Sequence, residues 1–159
     1  MRLEVRKSGK TVESGMTQTR YAFVKANRHA DIVSKSLDGF LQLIPAPQVD
    51  VFEVPGAFEL PLVARDLAKS SRYADIAAAA LVVDGGIYRH EFVAQVVVNG
   101  LMRMALDTGV PILSVSLTQH HFQSTEHRIG VFTRYFIEKG REAAQAALMI
   151  GNTRAALTG

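Results

Sequence analysis

The chain has 159 residues, enough for one domain with a sizeable core, and 48% of them are apolar, which excludes a disordered polymer. It contains no cysteine, so a disulfide framework and a thiolate zinc site are both excluded. The net charge is only +3 and the basic residues are scattered, so the clustered stripe of a nucleic-acid binder is missing. A cysteine-free chain fits a reducing compartment. The apolar run Ile76–Val83 is too short to span a bilayer, and the N-terminal segment has no apolar signal core. These features predict a cytoplasmic protein with no membrane or nucleic-acid partner, built as a flexible polar tail over 1–18 and a single domain over 19–159.

Arg20–Ala26 (RYAFVKA) reads as a first strand. From Asp31 to Ile44, Ile32, Val33, Leu37, Phe40, Leu41 and Ile44 recur at helical spacing, and Pro45 and Pro47 end the helix. Val49–Val54 (VDVFEV) alternates as a second strand. Pro55-Gly56 turns the chain, and Ala57–Lys69 follows as a helix that tolerates Pro61 only near its first turn. Ile76–Val83 (IAAAALVV) is continuously apolar, as in a parallel strand covered on both faces. His90–Asp107 is a helix closed by Gly109 and Pro111, Ile112–Leu117 a fourth strand, and Thr125–Ile150 mostly helix, with a break expected near Gly130. In that last helix Phe132, Phe136, Ala143, Ala147 and Leu148 are the expected core positions.

Strict alternation of strand and helix predicts a three-layer α/β/α domain on a four-stranded parallel sheet with right-handed crossovers. Ligands of such sheets sit outside the carboxyl ends of the strands. Four segments fall there: Asn27-Arg28-His29, Pro55-Gly56-Ala57-Phe58-Glu59, Asp84 to His90, and Thr118 to His121. The third helix carries a polar ridge, Glu91, Gln95, Asn99, Arg103 and Asp107, and is apolar at nearly every other position. So apolar a helix should pack on the sheet and also on a second copy of the chain.

Several motifs are weaker than they look. Gly9-Lys10-Thr11 copies the tail of a phosphate-binding loop, but Glu4 stands where its first glycine belongs and no apolar strand precedes it. No Gly-x-Gly-x-x-Gly follows the first strand. His29, His90, His120, His121 and His127, with Glu126, form no His-Glu-x-x-His pair, and adjacent histidines on an extended chain point apart; no metal site is expected. Asp84-Gly85-Gly86-Ile87 before a helix start is more informative. Glycines expose successive N–H groups, the helix terminus adds partial positive charge and Arg89 a full one, which together make a phosphate cradle. An ordinary strand-to-helix turn explains the motif equally well. Val54-Pro55-Gly56-Ala57-Phe58-Glu59 offers backbone N–H groups, a ring and a carboxylate, suited to a planar polar heterocycle bearing hydroxyls. The plainer alternative is a helix N-terminus with Glu59 favourable in its first turn. Arg28 and Arg128 are ordinarily just solvated charges.

From about Arg20 to Ile150 the chain resembles the lumazine synthases of riboflavin biosynthesis. VPGAFELPL (Val54–Leu62) and VVDGGIYRHEFV (Val82–Val93) occur in the family's order and spacing, supported by TGVPILSV (Thr108–Val115) and the Glu138-Lys139-Gly140 of the last helix. DGGIYRH with His120-His121-Phe122 is closer to the minority branch that forms homodecamers from two pentamers. The resemblance implies a flavodoxin-like fold and a transferase that condenses 5-amino-6-(D-ribitylamino)uracil with 3,4-dihydroxy-2-butanone 4-phosphate, with no cofactor. It implies that the Ala57 and Phe58 backbone and the Glu59 carboxylate hold the ribityl chain. Leu81, Val82 and Val83 would edge the pyrimidine, and Gly86 and Ile87 would donate N–H groups to the phosphate. Arg128 and Ser114 would reach in from a neighbouring subunit, Arg128 to the phosphate and Ser114 to the uracil.

Three positions depart from the family's pattern. Arg28 stands where an aromatic ring usually stacks on the pyrimidine, and Ser114 stands where phenylalanine is frequent. Arg89 takes the place of the usual proton-transfer histidine, with His90 one residue, about 100° of helix, further on. Arginine stays protonated at any working pH, so Arg89 cannot be a general base but can stabilise charge on the leaving phosphate. His90 titrates in the useful range. A slow enzyme is therefore expected, the alternative being a paralogue that mainly binds flavin or lumazine.

Overall fold

The computed structural model describes residues 18–83, 90–119 and 126–158. Four strands, β1 (Tyr21–Ala26), β2 (Val49–Val54), β3 (Asp75–Val83) and β4 (Ile112–Gln119), alternate with four helices, α1 (Ala30–Phe40), α2 (Leu60–Lys69), α3 (His90–Thr108) and α4 (Glu126–Thr158). The strands form one parallel sheet in the order β2-β1-β3-β4. With α1 and α4 on one face and α2 and α3 on the other, this is the expected three-layer, flavodoxin-like α/β/α fold.

Alternation along β1 divides the core. Tyr21 and Phe23 point into a cluster with Ile32, Val33, Phe40, Phe132, Phe136, Ala143 and Ala147, under α1 and α4. Ala22, Val24 and Ala26 face Leu60, Ala64, Val97 and Leu101, under α2 and α3. On β3 small Ala77–Ala80 let both helical layers approach, and the strand is buried from Asp75 to Val82. Phe23 and Phe40 meet edge to face at 5.2 Å.

Helices α1 and α4 pack at backbone contact. A Cβ on Gly39 would collide with the Ile137 carbonyl, and one on Gly140 with the Ser36 carbonyl. The Ser36 hydroxyl, fully buried, donates to the Val33 carbonyl at 2.6 Å. At the end of α3, Gly109 adopts φ 75° and its N–H closes the helix on the Ala105 carbonyl at 2.9 Å, the left-handed stop expected from the sequence.

Element bounds differ in instructive places. Helix α1 ends at Phe40 rather than Ile44, because the chain there tightens into turns (Gln42 N–H to Gly39, Leu43 N–H to Phe40) before Pro45. Ile44 is still buried. Ala57–Glu59 forms a 3-10 turn that leads into α2. Helix α4 runs unbroken through Gly130 to Thr158, and Leu148, expected in the core, is 43% exposed. The tail expected over 1–18 lies, except for Gln18, outside the described residues. Among those described, no helix is long and apolar enough to cross a membrane, and no group of three or more histidines and carboxylates could hold a metal.

Candidate active site at the carboxyl edge of the sheet

All four strands end on one edge, and the strand order reverses between β1 and β3. Helix α1 leaves β1 on one face while α3 leaves β3 on the other, which opens a crevice between them. The register deepens it. Strand β3 pairs with β1 only as far as Ala79, yet with β4 as far as Val83. The last residues of β3, Leu81–Val83, therefore overrun β1. The Leu81 and Val82 side chains are buried and Val83 is half-buried, so what Leu81 and Val82 offer the crevice is backbone.

At the end of β1 the Asn27 N–H still donates to the Val54 carbonyl, at 2.8 Å, so Arg28 is the first residue off the sheet, and it is exposed. His29 then takes a left-handed conformation, φ 57° and ψ 42°, and its carbonyl accepts the Ile32 and Val33 N–H groups that start α1. Burial and the positive charge of Arg28 push the His29 imidazole below its usual range, with Asp31 opposing.

At the end of β2 the chain curls on itself. The Gly56 N–H donates to Glu59 Oε1 at 2.9 Å, and the Glu59 N–H to the Gly56 carbonyl at 3.3 Å. This clamp fixes the Glu59 carboxylate while leaving it exposed. Phe58 beside it is 54% exposed, an unusual cost for a ring that could have packed inward. Ala57 and Phe58 stand in a first helical turn, whose N–H groups lack partners within the helix. Ring, carboxylate and N–H groups thus gather on one exposed turn.

The other expected site residues fall differently. Gly86, Ile87 and Arg89 lie outside the described residues; His90 is the first residue of α3 and Arg128 belongs to the first turn of α4, with their side chains undescribed. Ser114 is exposed in the middle of the edge strand β4, opposite Ala78. It stands five residues before the end of β4, roughly 16 Å from this chain's own crevice rim. Sequence reasoning missed Lys25. It shares a face of β1 with Tyr21 and Phe23, and its ammonium donates to Ser34 Oγ at 3.1 Å, with Glu53 Oε2 at 3.8 Å. The alternation of RYAFVKA already marked it as an inward position.

A family model for 6,7-dimethyl-8-ribityllumazine synthase matches residues 18–155. The chain is 53% identical over 140 residues to the 6,7-dimethyl-8-ribityllumazine synthase of Rhodococcus erythropolis, covering 85% of this chain and 90% of that one. It is 53% identical over 131 residues to 6,7-dimethyl-8-ribityllumazine synthase 2 of Pseudomonas syringae pv. tomato (79% and 77% covered). It is 51% identical over 130 residues to the protein of the same name in Bradyrhizobium diazoefficiens (80% and 79%). The exposed Phe58-Glu59 turn at the carboxyl edge of the sheet thus occurs in a chain whose residues 18–155 match the family model, and the chain belongs to the 6,7-dimethyl-8-ribityllumazine synthase family.

Proposed function

We propose that this chain condenses 5-amino-6-(D-ribitylamino)uracil with 3,4-dihydroxy-2-butanone 4-phosphate to give 6,7-dimethyl-8-ribityllumazine, with loss of phosphate and water. It is a transferase of riboflavin biosynthesis, acting at the penultimate step. The observation that carries the reading is the clamped, exposed Glu59 beside Phe58 at the carboxyl edge of the sheet, in a chain of this family. The uracil's amine adds to the butanone ketone and a Schiff base forms with loss of water; phosphate leaves, the remaining enol becomes a ketone, and the ribityl-bearing nitrogen closes the ring on it with loss of a second water.

The residue roles are those that the family resemblance implies. Glu59 and the Ala57 and Phe58 N–H groups hold the ribityl hydroxyls, and the backbone of Leu81–Val83 meets the pyrimidine edge. The exposed guanidinium of Arg28 stacks on the flat ring. Gly86, Ile87 and the Arg128 fork bind the phosphate, and Arg89 stabilises its negative charge as it leaves. His90 serves any proton transfer the step retains.

The same reading makes the protein a homo-oligomer built from pentamers, as a decamer, with Ser114 and Arg128 entering a neighbour's crevice. Phe92, Val96, Met102 and Leu106 of α3 are 61%, 59%, 60% and 75% exposed, within about a third of the helix circumference. Gln95, Asn99 and the Arg103–Asp107 ion pair (3.3 Å) interleave with them, a mixed surface of the kind that subunits bury. Ser114 on the edge strand is open to such a neighbour. A cysteine-free chain suits the cytoplasm.

The test is direct. Purified protein is mixed with both substrates and lumazine absorbance is followed against an enzyme-free blank. A rate above the blank, proportional to protein, is expected. A rate equal to the blank, with tight binding of ribityl compounds, would replace the synthase by a binding paralogue.

A further inference from the structure

At the opposite end of the sheet, β1 and β3 begin beside the last turns of α4, and an open cavity of about 420 Å³ lies between them. It falls within the size range of small-molecule sites. Its walls include Thr19, Tyr21, Asp75, Pro111, Leu148 and Arg154. Asp75 opens β3 and Val83 closes it, so this cavity is roughly 26 Å from the crevice along the strand.

Asp75 is the anomaly. It is 4% exposed, yet its carboxyl makes no hydrogen bond and no ion pair among the described residues. Buried carboxylates are ordinarily paired. Burial pushes this one up to about 6, with Arg154 pulling the other way. Asp75 in turn helps burial to raise the Tyr21 hydroxyl. Arg154 lines the same cavity without forming an ion pair to Asp75; one of its N–H groups donates to the Gly109 carbonyl at 2.7 Å, which pins the guanidinium in place. The cavity therefore separates a fixed negative group from a fixed positive one, and Pro111, Ala147 and Leu148 give it apolar wall between them.

We propose that this amino-edge cavity is a second small-molecule site that takes a zwitterion, its ammonium on Asp75 and its anionic group on Arg154. Both ends of such a ligand form charge-assisted hydrogen bonds, Arg154 with a fork that fits a carboxylate, while methylenes cover the apolar wall. The ammonium would supply the partner that the Asp75 carboxylate lacks. The site does not depend on what the carboxyl-edge crevice does.

The experiment uses the full chain in its assembled state and a ladder of ω-amino acids, from glycine to 6-aminohexanoate, titrated by calorimetry or saturation-transfer NMR at neutral pH. One chain length is expected to bind best. Butylamine and butyrate, which carry one charge each, should bind at least about tenfold more weakly, as should every probe to Asp75→Asn and Arg154→Gln. Asp75→Asn removes a buried charge and keeps the shape, so it folds; circular dichroism checks this. Saturating lumazine should leave the affinity unchanged. No saturable binding up to about 10 mM, binding that survives both substitutions, or displacement by lumazine would each overturn the proposal.

Discussion

On one face of the sheet, α1 and α4 meet at Gly39 and Gly140 with their backbones in contact, and Phe23, Phe40 and Phe136 are buried beneath them. On the other face α2 and α3 seat Leu60, Val97 and Leu101, but α3 leaves Phe92, Val96, Met102 and Leu106 more than half exposed, and α2 leaves Leu62 so. The first layer is closed where α1 meets α4, although α4 leaves Met149 and Leu157 72% and 80% exposed towards its end. The second exposes those four side chains along α3, which the proposed assembly would bury as half of an interface. Substitutions in the buried α1–α4 contact and on the exposed α3 surface should therefore be felt in different measurements.

The largest effect belongs to the closed layer. Phe136→Ala should cost about 3–5 kcal/mol in urea unfolding with the slope unchanged, because a fully buried ring leaves a cavity that packed helices cannot refill. A cost under 1 kcal/mol would mean that this layer is looser than its contacts imply.

Asp75, on the same side, is the flaw in that layer. Its folded pKa of about 6 lies above the usual carboxylate range, so the folded state holds its proton more tightly than the unfolded one. Its stability contribution is therefore complete at low pH and is lost as pH rises through about 6. Asp75→Asn should gain on the order of 2–3 kcal/mol at pH 8, with the gain vanishing below about pH 4. A pH-independent difference would contradict the buried, unpaired carboxyl.

On the other side the effects move to activity. Glu59→Gln should raise KM for the ribityl substrate by about tenfold or more, since a charged acceptor of hydroxyl hydrogen bonds becomes neutral, while unfolding shifts by no more than ~1 kcal/mol. Arg89→His should raise kcat by about tenfold or more, because an imidazole restores the general acid–base help that a permanent cation cannot give; an unchanged or lower kcat would count against the electrostatic role. The smallest effect on a single chain is that of Val96→Lys with Met102→Lys, within about 0.5 kcal/mol per position as surface changes. The same pair should split the assembly and abolish turnover, which is the sharpest form of the contrast between layers.

Much of this was legible in the residues. IAAAALVV could only be a strand buried on both faces, and VDVFEV has the expected bounds. The PGAFE turn is marked by its ring and its carboxylate, although a plain helix N-terminus fits the same residues. What could not be read depends on tertiary packing. The continuity of α4 past Gly130 and its extension to Thr158 come from the sheet and α1 supporting the helix, which local propensity does not report. The exposure of Leu148 depends on where α4 runs out of neighbours. Lys25 and Asp75 were passed over because a charged residue in a strand reads as a surface position until its neighbours are known.

The most direct measurement is sedimentation of the active enzyme: a thin band of dilute protein is spun through both substrates while the lumazine front is followed by absorbance. The account predicts a front moving as a pentamer or a larger multiple of five chains, well ahead of a single chain. A front at the velocity of one chain, or no lumazine above the substrate blank, would contradict it.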